Sequence, residues 1–250
     1  MALKRYLLLI VFCSIPTSLF SNKLYFPQVA FGGYTTTIAL MNMAPASVSS
    51  NFEVHDQTGA LLRSIPTTVP GDGSTRLSIA DPGPSIISSW GMLDAGVVTV
   101  QGTATFDLRS TDGTLIATAG VLGLQAGDGF ILPVDVAGDG IAVNTSVAMV
   151  NVNPTNRITL VLVLMPENGS SSATGIYERF MTLDPRHQIT DFVTSIWPQL
   201  AVGFRGTLSV AVVDFGLQDS LVLTALSVKE GLLSALPVIP DNSCRGCWDY

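Results

Sequence analysis

One pattern occurs twice in this chain, as YFPQVAFGGYTTTIALMNMAPASVSSNFEV (residues 25–54) and as ILPVDVAGDGIAVNTSVAMVNVNPTNRITLVLV (residues 131–163). Each copy opens with two apolar residues and a proline, passes a glycine-containing turn, and reaches an Asn-x-x-Pro corner. The corners begin at Asn42 and Asn151, 109 residues apart (151 − 42), whereas the opening prolines are 106 apart (133 − 27), which implies a three-residue insertion in the second copy. A repeat of this length indicates a duplicated domain, because solenoid repeats recur about every 20–50 residues.

Length and composition agree with two β domains. The 250 residues, taken with the repeat, predict domains at 23–126 and 128–240, each large enough to bury a core. Only 12% of the residues are charged, against about 25% in an average soluble domain, and Thr, Ser and Gly supply the polarity. That mixture is typical of all-β extracellular modules. We therefore expect an all-β protein with two tandem Ig-like or Greek-key-type antiparallel β-sandwich domains.

The charge balance argues against nucleic-acid binding. The formal net charge is −7 and the isoelectric point is about 4.6. Basic residues cluster only at the extreme N-terminus, so a phosphate backbone would be repelled.

Residues 1–21 have the features of an export signal. Lys4 and Arg5 are followed by an apolar run at 7–15 and a short exit segment at 18–21. This run is shorter than the roughly 20 residues that a membrane-spanning helix needs. The sequence predicts a chain that is secreted or held at the cell surface, with no membrane span after cleavage.

The clearest predicted strand covers residues 97–108, where apolar and polar side chains alternate with a period of two. Such alternation places one face on a core and the other in water. Residues 114–122 follow after a turn, which predicts a β-hairpin.

Residues 158–165 break this alternation, because apolar residues occupy both faces of the predicted strand. Burial of one such side chain contributes about 1.5–3 kcal/mol, so exposure of several together would be costly and would favour aggregation. We expect Val161, Val163 and Met165 to be covered by the first domain, by a loop or by another subunit. They are the candidate interface residues.

Several short phrases carry a family resemblance: FILPVD at 130–135, VNVNP at 150–154, and WPQL with FRGTL within 197–208. Over about residues 24–240, the chain resembles a functionally uncharacterised repeat found in secreted proteins of environmental bacteria. The resemblance implies export and a β-sandwich fold, and it supplies no catalytic residues. The first corner departs from the pattern, since Met43 and Ala44 stand where polar residues are usual, and so does the cysteine-containing tail.

The tail at 241–250 contains Cys244 and Cys247. A local disulfide, an intermolecular cross-link, and metal or redox chemistry are all open interpretations in an oxidising compartment. A tetrahedral zinc site would need two further ligands, and a c-type haem site would need a histidine where Trp248 stands.

Other candidate chemical residues are sparse. The two histidines, His55 and His187, lie beside predicted turns, and no Gly-x-Ser-x-Gly elbow is present, so we expect solvated loop histidines and no enzyme. A carboxylate pair of the glycosidase kind could be drawn from Glu167 and Glu178, but residues near a hairpin are more often exposed charges. In a Gly-Asp-Gly context, Asp135 and Asp139 could contact Ca²⁺, although at least four more oxygens would be required.

Two tryptophans precede late strands, Trp90 after residues 86–89 and Trp197 after residues 192–196. They could stack on sugars, or they could be apolar plugs that close one end of each sandwich. The spacing in 192–197 predicts one or two helical turns ended by Pro198.

These features favour a secreted, non-enzymatic, cell-surface or extracellular structural or adhesive subunit that self-associates or binds a protein partner. The alternative is a carbohydrate-binding module, with a glycan as its ligand.

Overall fold

The computed structural model describes residues 22–80, 86–96, 99–110, 112–136, 143–167, 176–200, 203–217, 219–230 and 232–241. Within these ranges the chain is all-β, with one short helix. None of the helices described is long and apolar enough to span a membrane.

The described residues of the first half of the chain, 22–126, form eight strands. These are β1 (Lys23–Phe31), β2 (Tyr34–Asn42), β3 (Val48–His55), β4 (Leu61–Val69), β5 (Gly73–Ala80), β6 (Ile87–Asp94), β7 (Val100–Arg109) and β8 (Leu115–Leu122). The predicted hairpin is confirmed as β7 and β8, which pair antiparallel.

In the second half, 127–241, the described residues form nine strands and one helical turn. These are β9 (Gly129–Asp135), β10 (Val143–Asn151), β11 (Ile158–Pro166), β12 (Tyr177–Leu183), β13 (Gln188–Phe192), α1 (Val193–Ile196), β14 (Arg205–Val212), β15 (Leu221–Lys229), β16 (Leu232–Ala235) and β17 (Ile239–Pro240).

The strands form four antiparallel sheets. Sheet A has the order β1-β6-β3-β4, sheet B β5-β2-β7-β8, sheet C β13-β10-β15-β16, and sheet D β12-β11-β14-β9-β17. If eight is added to each strand number, the order of sheet A becomes β9-β14-β11-β12, which is sheet D read from its other edge without β17. The same addition turns the order of sheet B into that of sheet C. The two halves therefore share one strand order.

Each half buries one core between its two sheets, in a β-sandwich-like arrangement. In the first core Phe26 of β1 packs on Phe52 of β3, with ring centroids 5.6 Å apart. In the second, one of the two apolar faces of β11 is fully buried in the core; it consists of Ile158, Leu160, Leu162 and Leu164. Alternation along each strand thus decides which side chains enter a core.

Both Asn-x-x-Pro corners have the same internal bonding. The Oδ1 atom of Asn42 accepts from the Ala44 N–H at 2.9 Å, and that of Asn151 accepts from the Asn153 N–H at 2.9 Å. Both asparagines are fully buried, and both Nδ2 groups donate to main-chain carbonyls further along the loop. The side chain closes the turn that carries the chain from one sheet to the other.

In both halves the C-terminal segment pairs with the first strand of the same half. Leu124 exchanges two main-chain hydrogen bonds with Tyr25 of β1, each 2.8 Å long. In the second half, Ile239 of β17 pairs with Ile131 of β9. Each half thus returns to its own first strand.

The two tryptophan-bearing segments differ from each other. The predicted helical turn before Pro198 is confirmed as α1. Residues 86–90, expected to form a similar plug, instead enter β6, which pairs with β1 and β3 inside sheet A. Trp90 therefore lies on a strand, and the two tryptophans do not occupy matching positions.

Candidate functional site

The outer faces of sheets A and C pack together and join the two halves. Tyr25 of β1 and Trp90 of β6 form a buried cluster with Val150 of β10 and Val222 of β15. These four side chains point away from the two sandwich cores. Sheets B and D consequently lie on the outside of the molecule.

Trp90 is the largest side chain in this contact and is only 2% exposed. Its indole stacks on the imidazole of His55, with ring centroids 4.4 Å apart and an angle of 15° between the rings. Trp197 is equally buried, within the second core. Neither indole therefore offers an open face for stacking on a sugar.

His55 differs from the solvated loop residue that the sequence suggested, because it is 1% exposed. Its Nε2 atom lies 3.0 Å from a Glu53 carboxylate oxygen, and its Nδ1 atom lies 3.1 Å from the carbonyl oxygen of Gly59. His187 is half-buried, with Nδ1 3.2 Å from the carbonyl oxygen of Pro185. The contacts of His55 fix a strand end against Trp90.

Gln188 links the halves through main-chain groups. Its buried side-chain amide donates to the carbonyl oxygens of Pro27 at 2.6 Å and Ser89 at 3.1 Å. Its own main-chain N–H donates to the carbonyl of Gln57 at 2.9 Å. The buried Oε1 atom of Gln188 has no hydrogen-bond partner among the described residues, so it is the N–H groups of Gln188 that hold the two surfaces in one relative placement.

A second group of polar contacts lies beside this amide. The hydroxyls of Ser88 and Thr190 lie 3.1 Å apart, and both donate to the side-chain oxygen of Gln28. Nearby, a Cβ added to Gly59 would lie 2.5 Å from the Cβ of Arg186, and Gly59 has a φ of +85°. Glycine is required there both by its conformation and by the closeness of the second half.

Burial at this contact changes the acidity of Tyr25. Its side chain is 7% exposed, and desolvation by burial raises its pKa to about 12, with the Asp94 carboxylate acting in the same direction. The phenol is therefore held neutral over a wide pH range.

The outer face of sheet D carries the predicted interface residues. Val161 is 2% exposed and pairs across the ladder with Ala211 and Phe180. Val163 is half-buried, whereas Met165 is 39% and Phe180 61% exposed. An apolar strip thus extends from β11 onto β12.

Sheets A and D can be compared position by position through their opening motifs. One row of directly paired residues in sheet A corresponds to one row in sheet D. The row in sheet A consists of Tyr25, Met92 and Glu53, and the row in sheet D consists of Ile131, Ser209 and Val163. By the same alignment Val161 occupies the position of Asn51, and Met165 that of His55. Val161, Val163 and Met165 of sheet D therefore stand where sheet A has polar residues, whereas Thr207 and Ser209 of sheet D stand where sheet A has Trp90 and Met92.

A cavity of about 320 Å³ lies between β8 and the segment that follows β16. Its lining is mainly apolar and includes Leu122, Leu124 and Val238. Among the lining residues that the structure describes, Thr224 is the one with a polar side chain and none is charged.

The remaining candidate residues are not brought together. Asp135 lies 3.6 Å from the Arg205 guanidinium, and Glu178 is exposed on β12. Cys244, Cys247 and Asp139 lie outside the described residues. Across the part of the chain that the structure describes, no three His, Cys, Asp or Glu residues are close enough to hold a metal ion.

Sequence reasoning missed the contact between sheets A and C. A usable signal existed, because residues 147–150 and 221–223 are also apolar at consecutive positions, as in the run at 158–165. Gln188 gave no comparable signal, since a single glutamine beside a turn is ordinary.

Comparison of the chain with protein-family models, with curated proteins and with solved structures found no match.

Proposed function

We propose that this protein is a secreted, non-enzymatic structural or adhesive subunit of the cell surface or extracellular space. In this proposal it consists of two tandem antiparallel β-sandwich domains of Ig-like or Greek-key type, exported by the signal at residues 1–21. The tail cysteines, Cys244 and Cys247, would form a disulfide or a cross-link in that compartment.

Two observations support a tandem origin. The strand order of one half repeats in the other, and the buried asparagines of the two corners make the same hydrogen bond to the main chain two residues on. A shared sequence motif with the same side-chain bonding is expected if one ancestral domain was duplicated.

The observation that carries the functional proposal is the buried contact between sheets A and C. In proteins whose domains move relative to one another, the contact between the domains is usually small and polar. Here an apolar cluster is bordered by hydrogen bonds to main-chain groups. Such a joint resists bending, and a stiff body with two outer sheets suits a structural element better than a closing binding cleft.

The test is export and attachment of the full chain in a host that secretes proteins. We expect a mature N-terminus near Asn22 by mass spectrometry, accessibility to antibody on intact cells, and increased attachment of the cells to one another or to a surface. The matched control is Leu9→Arg, which interrupts the apolar run of the signal and should abolish all three. Retention inside the cell with residues 1–21 intact, or exposure without any change in attachment, would overturn the proposal.

A further inference from the structure

We propose that the cavity between β8 and the segment after β16 binds an uncharged aliphatic molecule of about ten carbons that ends in a hydroxyl or carbonyl group. This inference goes beyond the proposed structural role, since neither export nor attachment requires a ligand in the cavity.

The first argument is the position of the cavity. It lies where two sheet edges from different halves meet, because β8 is the last strand of sheet B and β16 is the last strand of sheet C. The two strands are close in space but do not pair, and the cavity lies beside them. Ligand sites occur preferentially at such junctions between domains.

The second argument is size. The cavity has a volume of about 320 Å³, at the lower end of the roughly 300–1,000 Å³ that is typical of ligand sites. An apolar cavity of about 150 Å³ holds one benzene molecule. Twice that volume has room for about twelve non-hydrogen atoms, the size of a ten-carbon chain with a small head group.

The third argument is the chemistry of the lining. Both halves contribute apolar side chains, for example Leu122 and Leu124 from the first and Leu236 and Val238 from the second. None of the described lining residues is charged. A charged ligand would lose its water here without gaining a partner of opposite charge, so the lining favours an uncharged chain.

The fourth argument is the hydroxyl group of Thr224. Thr224 lines the cavity and is only 5% exposed. Among the residues that the structure describes, no hydrogen bond reaches its hydroxyl. A buried hydroxyl without a partner is costly, and a hydroxyl or carbonyl group on the ligand can supply the missing bond.

The main chain at the border of the cavity adds further polar groups. Gly123 donates its N–H to β7 at 2.8 Å, and bonding alternates along an antiparallel strand, so the N–H and C=O of Leu122 point away from β7. In the same way Leu236 donates to β15 at 3.0 Å, so the main-chain groups of Ala235 point away from β15. Such donors and acceptors suit an uncharged head group.

The experiment is isothermal titration calorimetry of the mature chain with straight-chain primary alcohols from hexanol to dodecanol. We expect the affinity to rise about fourfold for each added CH₂ group and to level off near decanol, when the cavity is full. The Kd for decanol should be about 100 μM, as expected for a ligand of this size. Decanoate should bind at least about tenfold more weakly, because its carboxylate would lose water.

Two pairs of variants locate the site. Leu122→Ala and Leu115→Ala both shorten a leucine on β8, 66% and 46% exposed, and of the two Leu122 lines the cavity. Leu122→Ala should weaken decanol binding at least about fivefold, whereas Leu115→Ala should leave the Kd unchanged. Thr224→Val should weaken it about fivefold, and Thr224→Ser, which keeps the hydroxyl, should bind decanol more tightly than Thr224→Val.

Thermal unfolding followed by circular dichroism checks that the variants are folded, and the two leucine variants should match the wild type because their side chains are exposed. Absence of saturable decanol binding by the wild type would overturn the inference. So would equal binding of decanol and decanoate, an affinity that still rises from decanol to dodecanol, or equal effects of the two leucine variants. An unchanged Kd in Thr224→Val would remove the role of the hydroxyl.

The two proposals fail separately. A chain that is exported and promotes attachment but binds no decanol removes the ligand site alone. A chain that binds decanol but stays inside the cell removes the structural role alone.

Discussion

Replacement of Trp90 by alanine tests whether the joint between the halves is as stable as its packing indicates. The side chain is 2% exposed, stacks on His55, and belongs to one buried cluster with Val150 and Val222 of the second half. Removing it leaves a void bordered by both halves, which neither half can fill by a movement of its own.

The expected loss in the free energy of unfolding is about 3–5 kcal/mol, the range for tryptophan-to-alanine changes in protein cores. That is a large fraction of the roughly 5–15 kcal/mol that stabilises a typical protein. Because the void lies between the halves, we expect the substitution mainly to weaken the interaction between them, so that the two halves no longer unfold together.

The assay is urea unfolding followed by far-ultraviolet circular dichroism and by tryptophan fluorescence. In the Trp90→Ala variant the fluorescence comes from Trp197, within the second core, and from Trp248 in the tail. Circular dichroism reports both halves. We expect the two signals to separate in the variant and to coincide in the wild type.

Trp197→Ala is the control, because Trp197 packs inside one core and away from the joint. It should lower stability by a similar amount, and its fluorescence comes from Trp90 at the joint and from Trp248 in the tail. If Trp90→Ala cost less than about 1 kcal/mol, or if its two signals still coincided at a lowered midpoint, the joint would not have the role assigned to it.

Two further predictions concern the corners and the joint. The two amide hydrogens of Asn151 are shared among three carbonyls and its Oδ1 accepts one bond, so two hydrogens and one oxygen are bonded; in Asn42 one hydrogen and one oxygen are bonded. At about 1 kcal/mol for each bonded hydrogen or oxygen, Asn151→Ala should lower the free energy of unfolding in urea by about 3 kcal/mol and Asn42→Ala by about 2 kcal/mol. A larger loss for Asn42→Ala than for Asn151→Ala would contradict this assignment. Because the pKa of Tyr25 rises from 10.0 to about 12 on folding, its stabilising contribution is complete below pH 10 and is lost as the pH rises through 12, by about 2–3 kcal/mol. Tyr25→Phe should lack this part of the decline, and identical pH profiles for the two proteins would disprove the linkage.

The sequence was informative where a local pattern decides the structure. Period-two alternation identified the β7–β8 hairpin, and the doubled Asn-x-x-Pro motif located both corners. In each case the residues that determine the conformation lie within a few positions of one another, so the physics can be read from the sequence alone.

It was less informative where distant segments decide burial. His55 lies beside a turn and seemed exposed by its neighbours in sequence, yet it is covered by Trp90 from another strand. Trp90 in turn lies in a buried cluster that includes Val150 and Val222 of the other half. Such contacts depend on strand order and on the packing of one half against the other, and neither follows from the local pattern.

The bonds of Gln188 have a consequence for how this chain can change during evolution. Its amide and its main-chain N–H bind three carbonyl groups of the peptide backbone, at Pro27, Ser89 and Gln57. Every residue has such a carbonyl, so substitutions on that side leave the acceptors in place. These three bonds therefore depend on the identity of Gln188 and not on the identity of the side chains at Pro27, Ser89 and Gln57.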